Sequence, residues 1–218
     1  MFEINPEIKI KKEYLLDTTI FIVDDFYKNP HEVFNLLFNR EVPLWKMDQK
    51  PSYNTIHFED RRTEEYNYAL KPVYEFLKGL CGQTYDDPFL ITNVHKFFKH
   101  DFNDYENCVW WPHRDSGYNG IVYFSDECGT NLYSPDFYDK SARELGNEHK
   151  TVWVKKEKYK KLKTIESKFN RLAFFDGLKF PHGMDICNDK YFHDEYRYNQ
   201  VFFFDNPDFK MINTHRDI

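Results

Sequence analysis

The chain has 218 residues, rich in Phe (22) and Tyr (16) and poor in Gly (8), a balance that argues for a packed fold and against disorder. Its net charge of -6, from 30 basic and 36 acidic residues, gives no general attraction to phosphate backbones and so disfavours an obligatory nucleic-acid partner. No apolar run approaches the length of a membrane span, no N-terminal signal pattern is present, and the 4 cysteines form no CxxC pair, so the expectation is a cytoplasmic, membrane-free chain without a zinc-finger or thioredoxin motif.

Residues Tyr14–Val23 (YLLDTTIFIV) read as one strand, rich in β-branched and aromatic types. Asn29-Pro30 then predicts a helix, with Asn as the cap, Pro in the first turn and an apolar face of Val33, Phe34, Leu36 and Leu37. A polar stretch follows to about Arg62. Helical spacing returns over Glu64–Leu80 through Leu70, Val73, Tyr74 and Leu77, with Pro72 expected to kink or divide that helix and Gly82 to stop it.

From Phe89 onward short β-like runs take over: Phe89–Phe98, Cys108–His113, Gly120–Phe124, Thr130–Tyr133, Thr151–Val154, Arg171–Phe175 and Arg197–Phe204. Such spacing suggests a sandwich or barrel. The series is interrupted by an insertion at Pro135–Asn147 and by a basic run, Lys155–Lys163 (KKEKYKKLK), whose plain reading is a solvated helix or loop face. With no repeat and no linker, the expectation is one domain over residues 1–218, an N-terminal strand and helices (14–82) packed on a β core (89–205).

The segment Trp111-Pro112-His113-Arg114-Asp115 carries the first chemical signal. On a strand, residues two apart share a side, so His113 and Asp115 would aim a nitrogen and a carboxylate at one point. A mononuclear Fe(II) site needs two nitrogens and one carboxylate on one face, with positions left open. The same three letters spell the kinase HRD, but Gly120 stands where that motif needs Asn. A second nitrogen must come from downstream, from His149, His182, His193 or His215. His182 follows the apolar run Asn170–Gly177 and suits a ligand pointing inward, whereas His193 lies in an acidic loop and His149 in the insertion. Arg197 opens one of the most apolar stretches of the chain. A guanidinium there needs an anion, either an internal Asp or Glu or a bound carboxylate held by two parallel hydrogen bonds.

The order HxD, Gly129-Thr130-Asn131-Leu132-Tyr133, Asn170-Arg171-Leu172-Ala173-Phe174-Phe175, His182, Arg197 resembles the 2-oxoglutarate/Fe(II)-dependent oxygenase superfamily, in its prolyl-hydroxylase-like branch of phage and marine microbial type. The opening Phe21-Ile22-Val23-Asp24-Asp25-Phe26 and its Asn-Pro-led helix fit the same likeness, which spans about 18–205. It implies a mainly β chain with a double-stranded β-helix (jelly roll, cupin-like) core and flanking helices. It also implies a dioxygenase, a hydroxylase using Fe(II), O2 and 2-oxoglutarate on a small-molecule or peptide substrate. Carried over residue by residue, His113, Asp115 and His182 match the metal ligands, and Arg197 the partner of the far carboxylate of 2-oxoglutarate. Asn199 stands where relatives often have Ser or Thr. Phe97 stands where many have a Tyr, leaving Tyr123 or His95 as a substitute donor. Trp110, Trp111 and Tyr118 border the motif as candidate pocket walls. Two readings of other classes compete: a zinc hydrolase on the same ligands, which gives Arg197 no task, and a non-catalytic jelly-roll module.

Overall fold

The computed structural model describes residues 2–39, 60–65, 68–82, 90–97, 106–110, 112–115, 117–137, 153–192 and 195–205, with backbone alone over 60–65 and 90–97 and at 68, 192 and 205. The first elements are β1 (Lys9–Leu15) and β2 (Thr18–Asp24), which pair antiparallel. The expected single strand Tyr14–Val23 is therefore a hairpin. Leu16 and Asp17 both take positive φ, at 46° and 60°, the geometry of a tight two-residue turn. The β-rich flanks hid that turn, because Leu is an unusual residue for it.

Helix α1 (Pro30–Phe38) starts at Asn29 as expected, although the Asn29 side chain makes no capping hydrogen bond. Residues Asp60–Glu65 form β3, running from the expected polar stretch into the expected helix start at Glu64, and α2 (Lys71–Cys81) begins only after a short 3-10 turn at Tyr68–Leu70. Pro72 consequently neither kinks nor divides a helix. It sits in the first turn, where its missing N–H costs nothing. Gly82 ends α2 in the left-handed region at φ 66°.

The remaining strands are β4 (Leu90–Phe97), β5 (Cys108–Trp110), β6 (Gly117–Tyr123), β7 (Thr130–Tyr133), β8 (Trp153–Lys155), β9 (Lys161–Ile165), β10 (Arg171–Asp176), β11 (His182–Met184) and β12 (Arg197–Asp205). The architecture is mostly β with few helices. A seven-stranded sheet runs in the order β1-β2-β10-β6-β12-β4-β3, and a three-stranded sheet in the order β11-β7-β9. Strands β5 and β8 form a separate pair, which meets the small sheet through an isolated bridge between His113 and His182. Apart from the β1–β2 hairpin, neighbours in these sheets are far apart in sequence, as in a jelly-roll-like sandwich.

The large sheet has two unlike faces because successive side chains alternate. On one face Val122, Leu172, Phe174 and Phe202 pack with Val33 and Leu37 of α1 and Val73 and Leu77 of α2. On the other, Ile121, Tyr123, Ala173, Phe175 and Val201 pack against Leu132 of β7 and Ile165 of β9. The Lys-rich run, expected as a solvated face, therefore supplies a strand of the small sheet. Its lysines mask an apolar rhythm ending in Leu162 and the buried Ile165. Within the insertion Pro135–Phe137 forms a 3-10 turn, and 138–147 lie outside the described residues, as does the start of the Thr151–Val154 strand.

Candidate metal centre

His113, Asp115 and His182 come together at the junction of the two sheets, each offering one ligand atom, with all three atoms within 4.8 Å of one another. The expectation of a continuous strand over Cys108–His113 fails, since β5 stops at Trp110. Tethers replace the strand. His113 exchanges two backbone hydrogen bonds with His182, at 2.9 and 2.8 Å, and the Asp115 N–H donates to the Gly177 carbonyl at 3.1 Å. These fix both ends of the motif relative to β10 and β11.

Asp115 Oδ2 lies 3.1 Å from His182 Nε2 and 3.9 Å from His113 Nε2. His182 is buried and His113 partly exposed, with side-chain exposures of 5% and 31%, so the cluster has a dry side and a wet side. His182 Nδ1 lies 3.0 Å from the Phe180 carbonyl. A carbonyl only accepts, so Nδ1 donates to it and Nε2 is the ring atom turned toward the Asp115 carboxylate. Burial by itself raises the Asp115 carboxyl. The hydrogen bond with His182, the neighbouring charge of His113 and His182, and the Asn119 amide outweigh it and hold Asp115 well below the usual carboxylate range. A carboxylate and two imidazole nitrogens thus converge on one point, a donor set suited to a divalent cation.

Asn119 is the residue sequence reasoning missed. It lies on β6, is 1% exposed, and directs Nδ2 at both Asp115 Oδ2 and, at 3.0 Å, His182 Nε2. Its Oδ1 is buried without a partner. The available signal was alternation, because Asn119, Ile121 and Tyr123 share the inner face of β6 and only Asn119 is out of place there.

Along that face lies a second polar group. Asn199 on β12 pairs directly with Tyr123 on β6. The Tyr123 hydroxyl donates to Thr130 Oγ1 at 2.7 Å, and the Arg197 guanidinium stands 5.8 Å from the Tyr123 ring centroid. Arg197 is buried and donates from Nε to the Cys128 carbonyl at 2.6 Å and from one terminal nitrogen to the Gly129 carbonyl at 3.4 Å. Burial lowers its basicity, and the groups that oppose this are Tyr123, Cys128 and Tyr191, not a carboxylate. Among the described residues Arg197 forms no ion pair. Asn199 Oδ1 is also buried and unpartnered.

Other expectations fare differently. Tyr118 faces the helices, stacked on Phe174, so it does not wall the metal cluster. Trp110 is buried against Trp153. Trp111, His149, His193 and His215 lie outside the described residues, as do the side chains of His95 and Phe97, although the backbone pairs His95 with Asn199 and Phe97 with Arg197. An open groove between β1 and β9, lined by Glu13, Asp24, Lys163 and Arg171 among others, carries both signs of charge and none of the cluster residues. No helix among the described residues is long and apolar enough to cross a membrane.

No family model matches the chain, and no curated protein matches it. Among solved structures it is similar to a prolyl-4-hydroxylase of Pseudomonas putida, with a TM-score of 0.40 and 8% identity, over 76% of this chain and 78% of that one. At such distance the site has to be read from its own geometry.

Proposed function

We propose that this chain is an Fe(II)- and 2-oxoglutarate-dependent dioxygenase on a double-stranded β-helix core, hydroxylating a peptidyl residue, an amino acid or a small metabolite. One observation carries the reading: a His/Asp/His cluster and a buried guanidinium with no ion pair among the described residues occupy the two facing sheets of one sandwich. The donor set fits the metal. Bonds of ~2.1 Å at right angles put neighbouring donor atoms ~3.0 Å apart, and Asp115 Oδ2 and His182 Nε2 are 3.1 Å apart. Two imidazoles and one carboxylate leave positions open for a chelating acid and dioxygen.

Bound iron would supply the redox chemistry, coupling oxidative decarboxylation of 2-oxoglutarate to succinate and carbon dioxide with insertion of oxygen into a substrate C–H bond. The protein's own groups prepare for this. Asp115 stays ionised, and the Phe180 carbonyl holds the His182 ring with Nε2 free to ligate. Arg197 is oriented by the Cys128 and Gly129 carbonyls to meet the distal carboxylate, with the Tyr123 and Thr130 hydroxyls and the Asn199 amide beside it. Phe175, Leu132 and Ile121 keep the interior dry, which strengthens each polar contact.

A zinc hydrolase on the same ligands leaves the uncompensated Arg197 without a purpose. The deciding measurement is anaerobic addition of Fe(II) and then 2-oxoglutarate. A weak visible charge-transfer band is expected, absent in His182→Ala. Iron uptake with no band and no turnover of 2-oxoglutarate to succinate rejects the oxygenase.

A further inference from the structure

We propose that Asn119 is a fourth protein ligand of the metal centre, bound through Oδ1 after its amide turns over. This rests on the metal-centre reading above and adds a residue to it.

In the metal-free arrangement the amide nitrogen faces the cluster. Nδ2 is a donor; it meets the Asp115 carboxylate and lies 3.0 Å from His182 Nε2. It is a donor that the Asp115 carboxylate accepts while no cation is present. Oδ1 points the other way and, fully buried, has no hydrogen bond. A buried amide oxygen left in that state has lost its water without a replacement partner.

A cation reverses the preference. It takes the lone pairs of Asp115 and His182, so the two N–H bonds lose their acceptors and point at positive charge. Rotation by half a turn about the last side-chain bond exchanges the two ends without moving the backbone. Oxygen then occupies the place of nitrogen, and the previously unpartnered atom gains a partner of opposite charge. Toward His182 Nε2 the terminal atom stands at 3.0 Å, the spacing of adjacent ligands around one ion, whereas from Asp115 Oδ2, which it now meets more closely, it must draw back for both to ligate.

Room for the turn is reserved by a neighbour. A β-carbon at Gly177 would lie 2.8 Å from both Cγ and Oδ1 of Asn119. Gly177 has no positive φ to explain it, so the space it leaves is used by the Asn119 side chain. Four protein ligands leave two positions, enough for a bidentate organic acid. The neutral amide oxygen is the weakest of the four and the one that further ligands displace first.

Crystals soaked anaerobically with Mn(II) alone, without 2-oxoglutarate, test the proposal. Asn119 Oδ1 is expected at ~2.2 Å from the ion. An ion held by His113, Asp115 and His182 with the Asn119 amide beyond ~3 Å overturns the fourth ligand and leaves the metal centre standing. No ion at the cluster overturns both. In solution, Mn(II) affinity by calorimetry is expected to fall about tenfold in Asn119→Leu, which keeps the volume and removes the oxygen. A dissociation constant within twofold of wild type also rejects the ligand role. Should Asn119→Leu fail to fold, the wild-type soak decides alone.

Discussion

Replacing Arg197 by Met separates the oxygenase from its rivals, because among the described residues no acid pairs with the side chain. In the ligand-free protein the change removes a fully desolvated charge and also orphans the Cys128 and Gly129 carbonyls, which now accept at 2.6 and 3.4 Å. Each lost bond to a charged group costs roughly 1.5–3 kcal/mol, and relief of a buried unpaired charge offsets several kcal/mol. The stability of the free protein should therefore change by less than about 2 kcal/mol. Binding of 2-oxoglutarate should suffer far more. Removing a cation that grips a carboxylate in a dry site costs ~2–5 kcal/mol, or roughly 30- to 4000-fold in affinity. Ligand-linked stabilisation gives the readout. At a hundred times its dissociation constant, 2-oxoglutarate stabilises the metal-loaded wild type by ~2.7 kcal/mol. For a domain of this size that raises Tm by about 5–10 °C. Arg197→Met should show no such shift at the same concentration while binding Mn(II) normally, and Arg197→Lys should fall between, since an ammonium cannot make the parallel pair of bonds. An undiminished shift in Arg197→Met refutes the anion-site argument. A loss of more than ~4 kcal/mol in the free protein refutes the premise that no internal acid pairs with Arg197.

Gly177→Ala should displace Asn119, costing ~1–3 kcal/mol in urea unfolding and several-fold in Mn(II) affinity; wild-type metal binding in a folded variant contradicts the reserved space. Asn170 takes φ 63°, and its amide bonds both the N–H and the carbonyl of Tyr27, at 2.8 and 2.9 Å. Asn170→Ala should thus lose ~3 kcal/mol and Asn170→Gly about 1 kcal/mol less, because glycine relieves the backbone term alone; equal losses exclude a backbone contribution. Asp24 is held below its usual carboxyl range chiefly by its hydrogen bond with Arg171, which it meets through both oxygens at 2.6 and 3.1 Å. Since the folded group is the stronger acid, the unfolded chain binds more protons, and this contribution is present above about pH 4 and lost as pH falls through the folded value. Urea midpoints between pH 5 and 2 should fall less steeply in Asp24→Asn, and identical slopes remove Asp24 from the acid response.

What the sequence made legible were features that write themselves into single positions. Asn29-Pro30 and Gly82 marked helix ends because capping chemistry is local, and the apolar runs at Arg171 and Arg197 marked inner strands because burial on two faces needs near-continuous hydrophobicity. His113, Asp115, His182 and Arg197 stood out because a charged or ligating group beside such a run requires an explanation. Asn119 did not. Its role exists only once β6 lies against β10, with Asn119 opposite Phe175, and no spacing within Gly117–Tyr123 announces that pairing. Strand β9 was hidden for the opposite reason. Lysines fill its exposed positions, and overall charge outweighed the apolar residues between them.

Alternation in β6 also explains why the chemistry can depend on the fold so closely. A slip of one residue against β10 would turn Asn119 and Tyr123 toward the helices and bring Tyr118 and Val122 into the site. The helix-facing side forbids it. Gly120 pairs with Phe174 on one flank and Phe202 on the other, and both side chains close to 3.4 Å over the position where its β-carbon would stand. Tyr118 stacks on the same Phe174. A β-carbon alone would only touch those rings, but the longer side chain of Asn119 or Ile121, moved there by a one-residue slip, would run into them. A glycine that touches neither the metal cluster nor Arg197 thus sets which side chains reach them. Enlarging it should cost metal and anion binding together, whereas changes at Asn119 or Arg197 act on one at a time.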